Sequence, residues 1–250
     1  LTDIPLYWGQ YLKESLPAYE FTARDVKTGA SFVCYAKKHD SVNAATFVSY
    51  LLTHLKNQGF DVKNVTIQTD NGAEFNACGR PHVNLTAFEN TVKNLYQAQL
   101  RFIPPASPTW NSDVETFHRL VEDEFYDIEF IKSQKDLLHK MYTYLIDFNY
   151  LRKNSYRDSK TPFLLAKEDY PNITLDIFNL PPILLDDFRH IYFDQLPQKK
   201  PEKYLSFVTQ HTDQKDPIRD PHFSTMVKTW GGNDVSGLDI KNVKYLQYDE

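Results

Sequence analysis

The amino-acid sequence predicts a mixed α/β fold, in which helices pack against a sheet. Residues 19–26 alternate apolar and polar side chains, residues 27–29 supply a turn and residues 30–37 supply a second strand, so this stretch predicts a β-hairpin. Residues 42–55 place apolar side chains at helical spacing, and the β-branched run at residues 65–69 is typical of a buried strand. The order strand, strand, helix, strand favours an α/β sheet.

The N-terminal residues 1–16 are expected to be irregular because Pro5 and Gly9 interrupt them. The first long helix is expected to begin after Asp40 or Ser41, since either residue is a good N-cap.

Further elements follow from apolar spacing and from capping residues. They are a helix over residues 87–98 capped by Thr86, a strand over residues 100–103, a proline-containing loop over residues 104–111, helices over residues 111–125 and 134–153, a helix that begins at Thr161-Pro162, and a linker over residues 197–221.

Composition limits the possible functions. The 250 residues carry a net charge of −5, which argues against autonomous tight DNA binding but not against chemistry on DNA. No apolar run is long enough for a transmembrane helix. Cys34 and Cys78 form no CxxC pair, which favours a reducing compartment.

The segment TDNGAEF at residues 69–75 places Asp70 at the end of a predicted strand. Asn71 and Gly72 end the strand because both tolerate a positive φ. A carboxylate held at a strand end and facing solvent suits a metal ligand. Alternatively, Asp70 accepts a local backbone hydrogen bond in an Asn-Gly turn.

The predicted helix NSDVETFHR at residues 111–119 carries a second candidate group. Glu115 and Arg119 lie four residues apart and share one helix face. Two structural alternatives remain open. Glu115 can close a capping box with Ser112, and Arg119 can form a solvated ion pair with Glu115.

These two segments, in this order, resemble the catalytic core of the retroviral-integrase and DDE-transposase superfamily, of the bacterial insertion-sequence integrase type. Residues 144–162 resemble the segment that closes such cores, so that the resemblance covers roughly residues 1–168. It implies an RNase H-like fold, a mixed five-stranded sheet with helices on both faces. Residues 169–250 are then a C-terminal extension, which we expect to be irregular.

The resemblance also implies a chemistry and a site. Three carboxylates in this family hold two divalent cations, Mg²⁺ or Mn²⁺, for phosphodiester cleavage and strand transfer. Asp70 and Glu115 are the expected metal ligands and catalytic residues. Arg119, Asn71 and His118 are the expected DNA contacts.

The first acidic residue of the family pattern is not found within this sequence at the place where the resemblance implies it. We expect it just upstream of Leu1, which leaves the central first strand incomplete and this fragment inactive. Asp3 is a weaker substitute. Asp25 matches a position in the hairpin and is expected to contact the turn backbone instead.

The function implied is DNA strand transfer or transposition by a DDE-type polynucleotidyl transferase. The implied partners are element ends and target DNA, with a homo-oligomer forming on DNA, no membrane, and a cytoplasmic location at the bacterial nucleoid. One alternative is a catalytically dead RNase H-like remnant that binds DNA or a partner. Another is an RNase H-type nuclease, which shares the acidic cluster but lacks the late glutamate-bearing helix.

Overall fold

The computed structural model describes residues 2–3, 8–77, 85–104 and 112–190, which form a mixed α/β structure with two small sheets. The strands are β1 (Thr2–Asp3), β2 (Tyr19–Arg24), β3 (Ser31–Ala36), β4 (Thr66–Thr69) and β5 (Gln99–Phe102). The α-helices are α1 (Trp8–Glu14), α2 (Ser41–Asn57), α3 (Ala87–Asn90), α4 (Ser112–Val121), α5 (Gln134–Ile146) and α6 (Pro162–Asp169). None of the helices described is long and apolar enough to cross a membrane.

The predicted hairpin is confirmed as β2 and β3, which pair antiparallel with Phe21 opposite Cys34. Strand β1 pairs antiparallel with the other edge of β2 and places Asp3 opposite Tyr19. The turn between β2 and β3 contains the predicted contact of Asp25, whose Oδ2 accepts a hydrogen bond from the backbone N–H of Thr28 at 2.7 Å.

Strands β4 and β5 form a separate parallel pair, with Thr69 opposite Phe102. The prediction that β4 is a buried strand is wrong, because β5 is its only described neighbour and its residues are exposed or half-buried. No described ladder joins β1 to β4. The described strands therefore form sheets of three and two strands instead of one five-stranded sheet.

Local capping chemistry explains where the helices begin. Asp40 accepts hydrogen bonds from the backbone N–H groups of Val42 and Asn43 and caps α2. Thr86 forms a capping box with Glu89 at the start of α3, and Thr161 caps α6 with a proline in the first turn. These three N-termini lie where the sequence predicts them.

Three of the predicted helices end in a wide π-helical turn that periodicity does not reveal. These turns are Thr91–Leu95 after α3, Glu122–Tyr126 after α4 and Asp147–Leu151 after α5. The turn after α5 carries Asn149, which is buried and whose side chain accepts from the N–H of Ser31 and donates to its carbonyl, each at 2.9 Å. This side chain satisfies both backbone groups of a β3 residue.

Helix α1 corrects the expectation of an irregular N-terminal segment. Pro5 precedes this helix and Pro17 follows it, so neither ring interrupts its hydrogen bonds. Gly9 lies in its first turn. The two prolines therefore flank a short helix instead of interrupting it.

Helices pack on both faces of the β2–β3 hairpin because its side chains alternate between the faces. Val33 and Tyr35 point to the face covered by α4 and α5, where Phe117 is also buried. Phe21 and Cys34 point to the opposite face, which is covered by α2 and α3.

Residues 173–188 pack onto this core although the sequence predicts an extension from residue 169 onward. The N–H of Tyr35 donates to the carbonyl of Ile183 at 3.0 Å, and Leu184 and Leu185 are buried. The predicted boundary at residue 168 thus falls inside the compact unit Leu1–Leu196. The predicted linker over residues 197–221 and most of the loop over residues 104–111 lie outside the described residues.

Candidate active site

Asp70 directly follows β4 and is exposed. Its Oδ1 accepts a hydrogen bond from the backbone N–H of Gly72 at 3.0 Å. This is the local turn contact that the sequence offers as an alternative role. Its Oδ2 has no hydrogen-bond partner among the described residues, so the carboxylate retains an oxygen that can bind a ligand.

Asn71 connects the end of β4 to the end of β5. Its Nδ2 donates to the carbonyl of Ile103 at 2.8 Å, and its Oδ1 accepts from Nδ2 of Asn76 at 2.9 Å. Both ends of the amide therefore support the turn that carries Asp70. Its contact with DNA stays a prediction.

Glu74 and His39 attach the same turn to the hairpin. Oε1 of Glu74, whose side chain is only 9 % exposed, lies 2.9 Å from Nε2 of His39. The His39 ring stacks on Tyr19 with 5.3 Å between centroids, and Tyr19 is the ladder partner of Asp3. The sequence does not reveal this pair, because its members lie 35 positions apart with helix α2 between them.

Gly72 leaves the space in which the Glu74 carboxylate lies. A Cβ at position 72 would approach Oε1 of Glu74 to 2.5 Å and its Cδ to 2.8 Å. Because the carboxylate is the flexible end of a side chain, an added methyl group would displace it and break its contact with His39.

We therefore expect Gly72→Ala to lower the free energy of unfolding by about 1 kcal/mol, the usual net contribution of a hydrogen bond. Urea denaturation measures this loss. In a Glu74→Ala background the same substitution is expected to have no effect, because the group it displaces is absent. An equal loss in both backgrounds would contradict the proposed steric cause.

Glu115 and Arg119 are exposed on α4. Neither side chain makes a hydrogen bond or ion pair with any described residue, so neither the capping box with Ser112 nor the Glu115–Arg119 pair is formed. The carboxylate of one and the guanidinium of the other are therefore available to ligands.

His118 lies on the inner side of α4, where its Nε2 is 3.8 Å from Oε1 of Glu20 and its side chain is 15 % exposed. Burial lowers the pKa of His118 to about 4, so the imidazole is neutral near pH 7. A neutral, inward-facing ring packs α4 against β2. The predicted contact of His118 with DNA is not supported by this placement.

Glu20 is a buried carboxyl group on β2 that no pattern in the sequence marks. Burial raises its pKa, against hydrogen bonds from Thr22 and Tyr126 that lower it. The hydroxyl of Tyr126 also lies 2.8 Å from that of Tyr35. Burial favours the neutral form of both Glu20 and His118, so it disfavours an ion pair across their 3.8 Å contact.

The two residues of β1 pair with β2 residues whose side chains contact the elements that carry the two candidate carboxylates. Tyr19, the partner of Asp3, stacks on His39, and His39 contacts Glu74 in the turn that carries Asp70. Glu20, the partner of Thr2, lies 3.8 Å from His118 on α4. The charge of the nearby Glu115 acts to raise the pKa of His118.

The side chains that could hold a metal ion are the candidate carboxylates. Among the described side chains, no group of three or more His, Cys, Asp or Glu is placed to hold a metal ion. The side chain of Asp3 is not among them. Asp70 and Glu115 offer exposed carboxylate oxygens, which are the hard ligands that Mg²⁺ and Mn²⁺ prefer. The donor chemistry therefore fits these ions.

Comparisons with protein-family models, with curated proteins and with solved structures gave no match for this chain.

Proposed function

We propose that this chain contains the core of a DDE-type transposase or integrase, an enzyme that cuts and joins DNA strands with Mg²⁺ or Mn²⁺. The order and direction of the strands carry this proposal. Strands β1, β2 and β3 are antiparallel, β4 and β5 are parallel, and Asp70 stands at the carboxyl end of β4. If the free edges of β1 and β4 face each other, the order becomes β3-β2-β1-β4-β5, the order of an RNase H-like sheet.

Asp70 and Glu115 are assigned as metal ligands because both carboxylates are exposed. Ions bound in such sites activate the attacking oxygen and stabilise the leaving oxygen of a phosphodiester. Arg119, one turn after Glu115 and without an ion pair to any described residue, is assigned to a DNA phosphate. Element ends and target DNA, a homo-oligomer on DNA and a location at the bacterial nucleoid belong to the same proposal.

Asp3 is assigned as the third carboxylate, in place of the residue expected upstream of Leu1. On this assignment the chain is expected to be active, which differs from the expectation of an inactive fragment. Asp3 belongs to a two-residue strand that pairs antiparallel with β2, as the first strand of an RNase H-like sheet would. This position supports Asp3 more strongly than the sequence does, because the sequence gives no strand pattern around it.

A binding protein without catalysis is the second candidate. It is favoured by the turn contact of Asp70 and by the lack of a three-ligand cluster among the described side chains. Such a protein would bind DNA or a partner equally well with or without these carboxylates.

Mn²⁺-dependent nicking of supercoiled plasmid DNA tests the proposal without knowledge of the element ends. Asp3→Asn, Asp70→Asn and Glu115→Gln are each expected to reduce nicking by roughly 100-fold or more. Asp123→Asn is the matched control, because Asp123 is an exposed acid on the turn that continues α4 and has no ion pair with a described residue.

Equal nicking by wild type and the three site variants would exclude this site. DNA binding without Mn²⁺-dependent nicking in the wild type, unchanged in all variants, would favour the binding protein.

A further inference from the structure

An ion-pair cluster attaches the first turn of α4 to the hairpin. Nε of Arg24 donates to Oδ2 of Asp113 at 2.7 Å, and its Nη2 lies 3.4 Å from Oδ1. Nη2 of Arg157 lies 3.3 Å from each oxygen of the same carboxylate. Two guanidinium groups from distant parts of the chain thus share Asp113.

Arg24 is a rigid anchor for Asp113. Its side chain is 3 % exposed, and its guanidinium lies 5.4 Å from the ring centroids of both Phe117 and Phe148. Its Nη1 also donates to Oγ of Ser31 at 3.0 Å. Because aromatic rings and a β3 side chain hold this guanidinium, it cannot move without disturbing the core.

Arg157 is fixed by the hairpin turn. Its Nε donates to the carbonyl of Lys27 at 3.1 Å, and its Nη2 to that of Val26 at 2.9 Å. Gly29 has a φ of +76°, and a Cβ there would lie 2.4 Å from Nη1 of Arg157 and 3.1 Å from Nη2 of Arg24. The turn accommodates both guanidinium groups because residue 29 has no side chain.

We propose that Asp113, held by Arg24 and Arg157, is the positioning residue that sets the rotation of α4 about its axis and thereby the place of Glu115 in the site. Two residues along a helix correspond to about 200° of rotation, so anchoring Asp113 to the hairpin keeps Glu115 on the exposed side. This inference rests on the proposed function.

The charge balance supports a geometric role. A partly buried ion pair adds little net stability, since desolvation offsets the attraction between its members. One carboxylate shared by two guanidinium groups also leaves a positive charge that is not neutralised within the cluster. The directional hydrogen bonds of the arginine fork instead give one orientation to the turn that carries Glu115.

Mn²⁺ affinity of the full chain, measured by electron paramagnetic resonance, tests the role of Asp113. Supporting groups of metal ligands typically change metal affinity by about 10- to 100-fold. We expect Asp113→Asn to weaken Mn²⁺ binding at least about tenfold and Asp113→Glu to restore part of it. Thermal unfolding of each variant establishes that it is folded.

Glu124→Gln is the matched control. Glu124 pairs with Arg152 at the other end of the same helical segment, with Nη2 of Arg152 2.7 Å from Oε1, and its side chain is 35 % exposed against 36 % for Asp113. This variant is expected to lose similar stability but to retain Mn²⁺ affinity within about twofold, because its carboxylate is more than two turns from Glu115.

Equal weakening by Asp113→Asn and Glu124→Gln would overturn the positioning role, as would unchanged affinity in Asp113→Asn while Asp70→Asn lowers it. Equal Mn²⁺ binding by wild type and Asp70→Asn would instead show that the metal site itself is absent and would overturn both proposals. The Asp70→Asn arm therefore separates the two failures.

Discussion

Phe117→Ala is expected to lower the free energy of unfolding by about 3 to 5 kcal/mol, the usual cost of removing a phenyl ring from a packed core. Phe117 is completely buried between α4 and the hairpin. Its ring meets Phe148 edge to face at 5.0 Å between centroids and supports the Arg24 guanidinium. The substitution therefore removes packing and leaves a buried charge with less support.

Urea denaturation followed by circular dichroism measures this change. Thr116→Ala is the control on the neighbouring position, since Thr116 is exposed and its hydroxyl bonds only to the carbonyl of Ser112. It is expected to change stability by less than about 0.5 kcal/mol. A loss below about 1 kcal/mol for Phe117→Ala would contradict the packing of α4 on the hairpin.

Acidification is expected to remove about 3 kcal/mol of stability through His118 alone. Burial lowers its folded-state pKa from 6.5 to about 4, with Glu115 and Arg24 acting in opposite directions as nearby charges. A group that binds its proton less tightly when folded contributes stability above the unfolded pKa. That contribution is complete above pH 6.5 and is lost as the pH falls toward 4.

Stability of the wild type and of His118→Gln, measured by urea denaturation at intervals between pH 7 and 4, isolates this contribution. The difference in stability between the two proteins is expected to fall with pH across this window, because the glutamine has no proton to bind. A difference that stays constant would show that His118 is not buried in a neutral form.

Glu20 gives the opposite pH dependence and serves as the second control. Its pKa is raised by burial from 4.5, so its contribution is fully present below pH 4.5 and is lost as the pH rises through the folded-state pKa. In Glu20→Gln, the fall in stability on acidification is expected to be steeper than in the wild type. The same fall in both would contradict the burial of Glu20.

Short-range chemistry makes some elements predictable from sequence. The hairpin turn, the Asp40 and Thr86 caps, and the Thr161-Pro162 start of α6 each depend on residues within about four positions of one another. The exposure of Asp70 and Glu115 follows in the same way from a strand end and a polar helix face.

Long-range pairing explains what the sequence does not reveal about the candidate site. Asp113 meets Arg24 across 89 positions and Arg157 across 44, and nothing local distinguishes these arginines from exposed ones. The shared face of Glu115 and Arg119 is visible from helical spacing, but the inward rotation of His118 depends on which face meets β2.

The sequence by itself determined the type and order of most elements and the two segments that carry Asp70 and Glu115, because hydrophobic spacing and capping act over a few residues. The tertiary structure alone decided how these segments are held. Among the described strands it paired β4 with β5 alone, and it placed residues 173–188 beside β3 and turned His118 toward β2. These outcomes depend on packing between distant segments, in which burial of a shared apolar surface outweighs local preference.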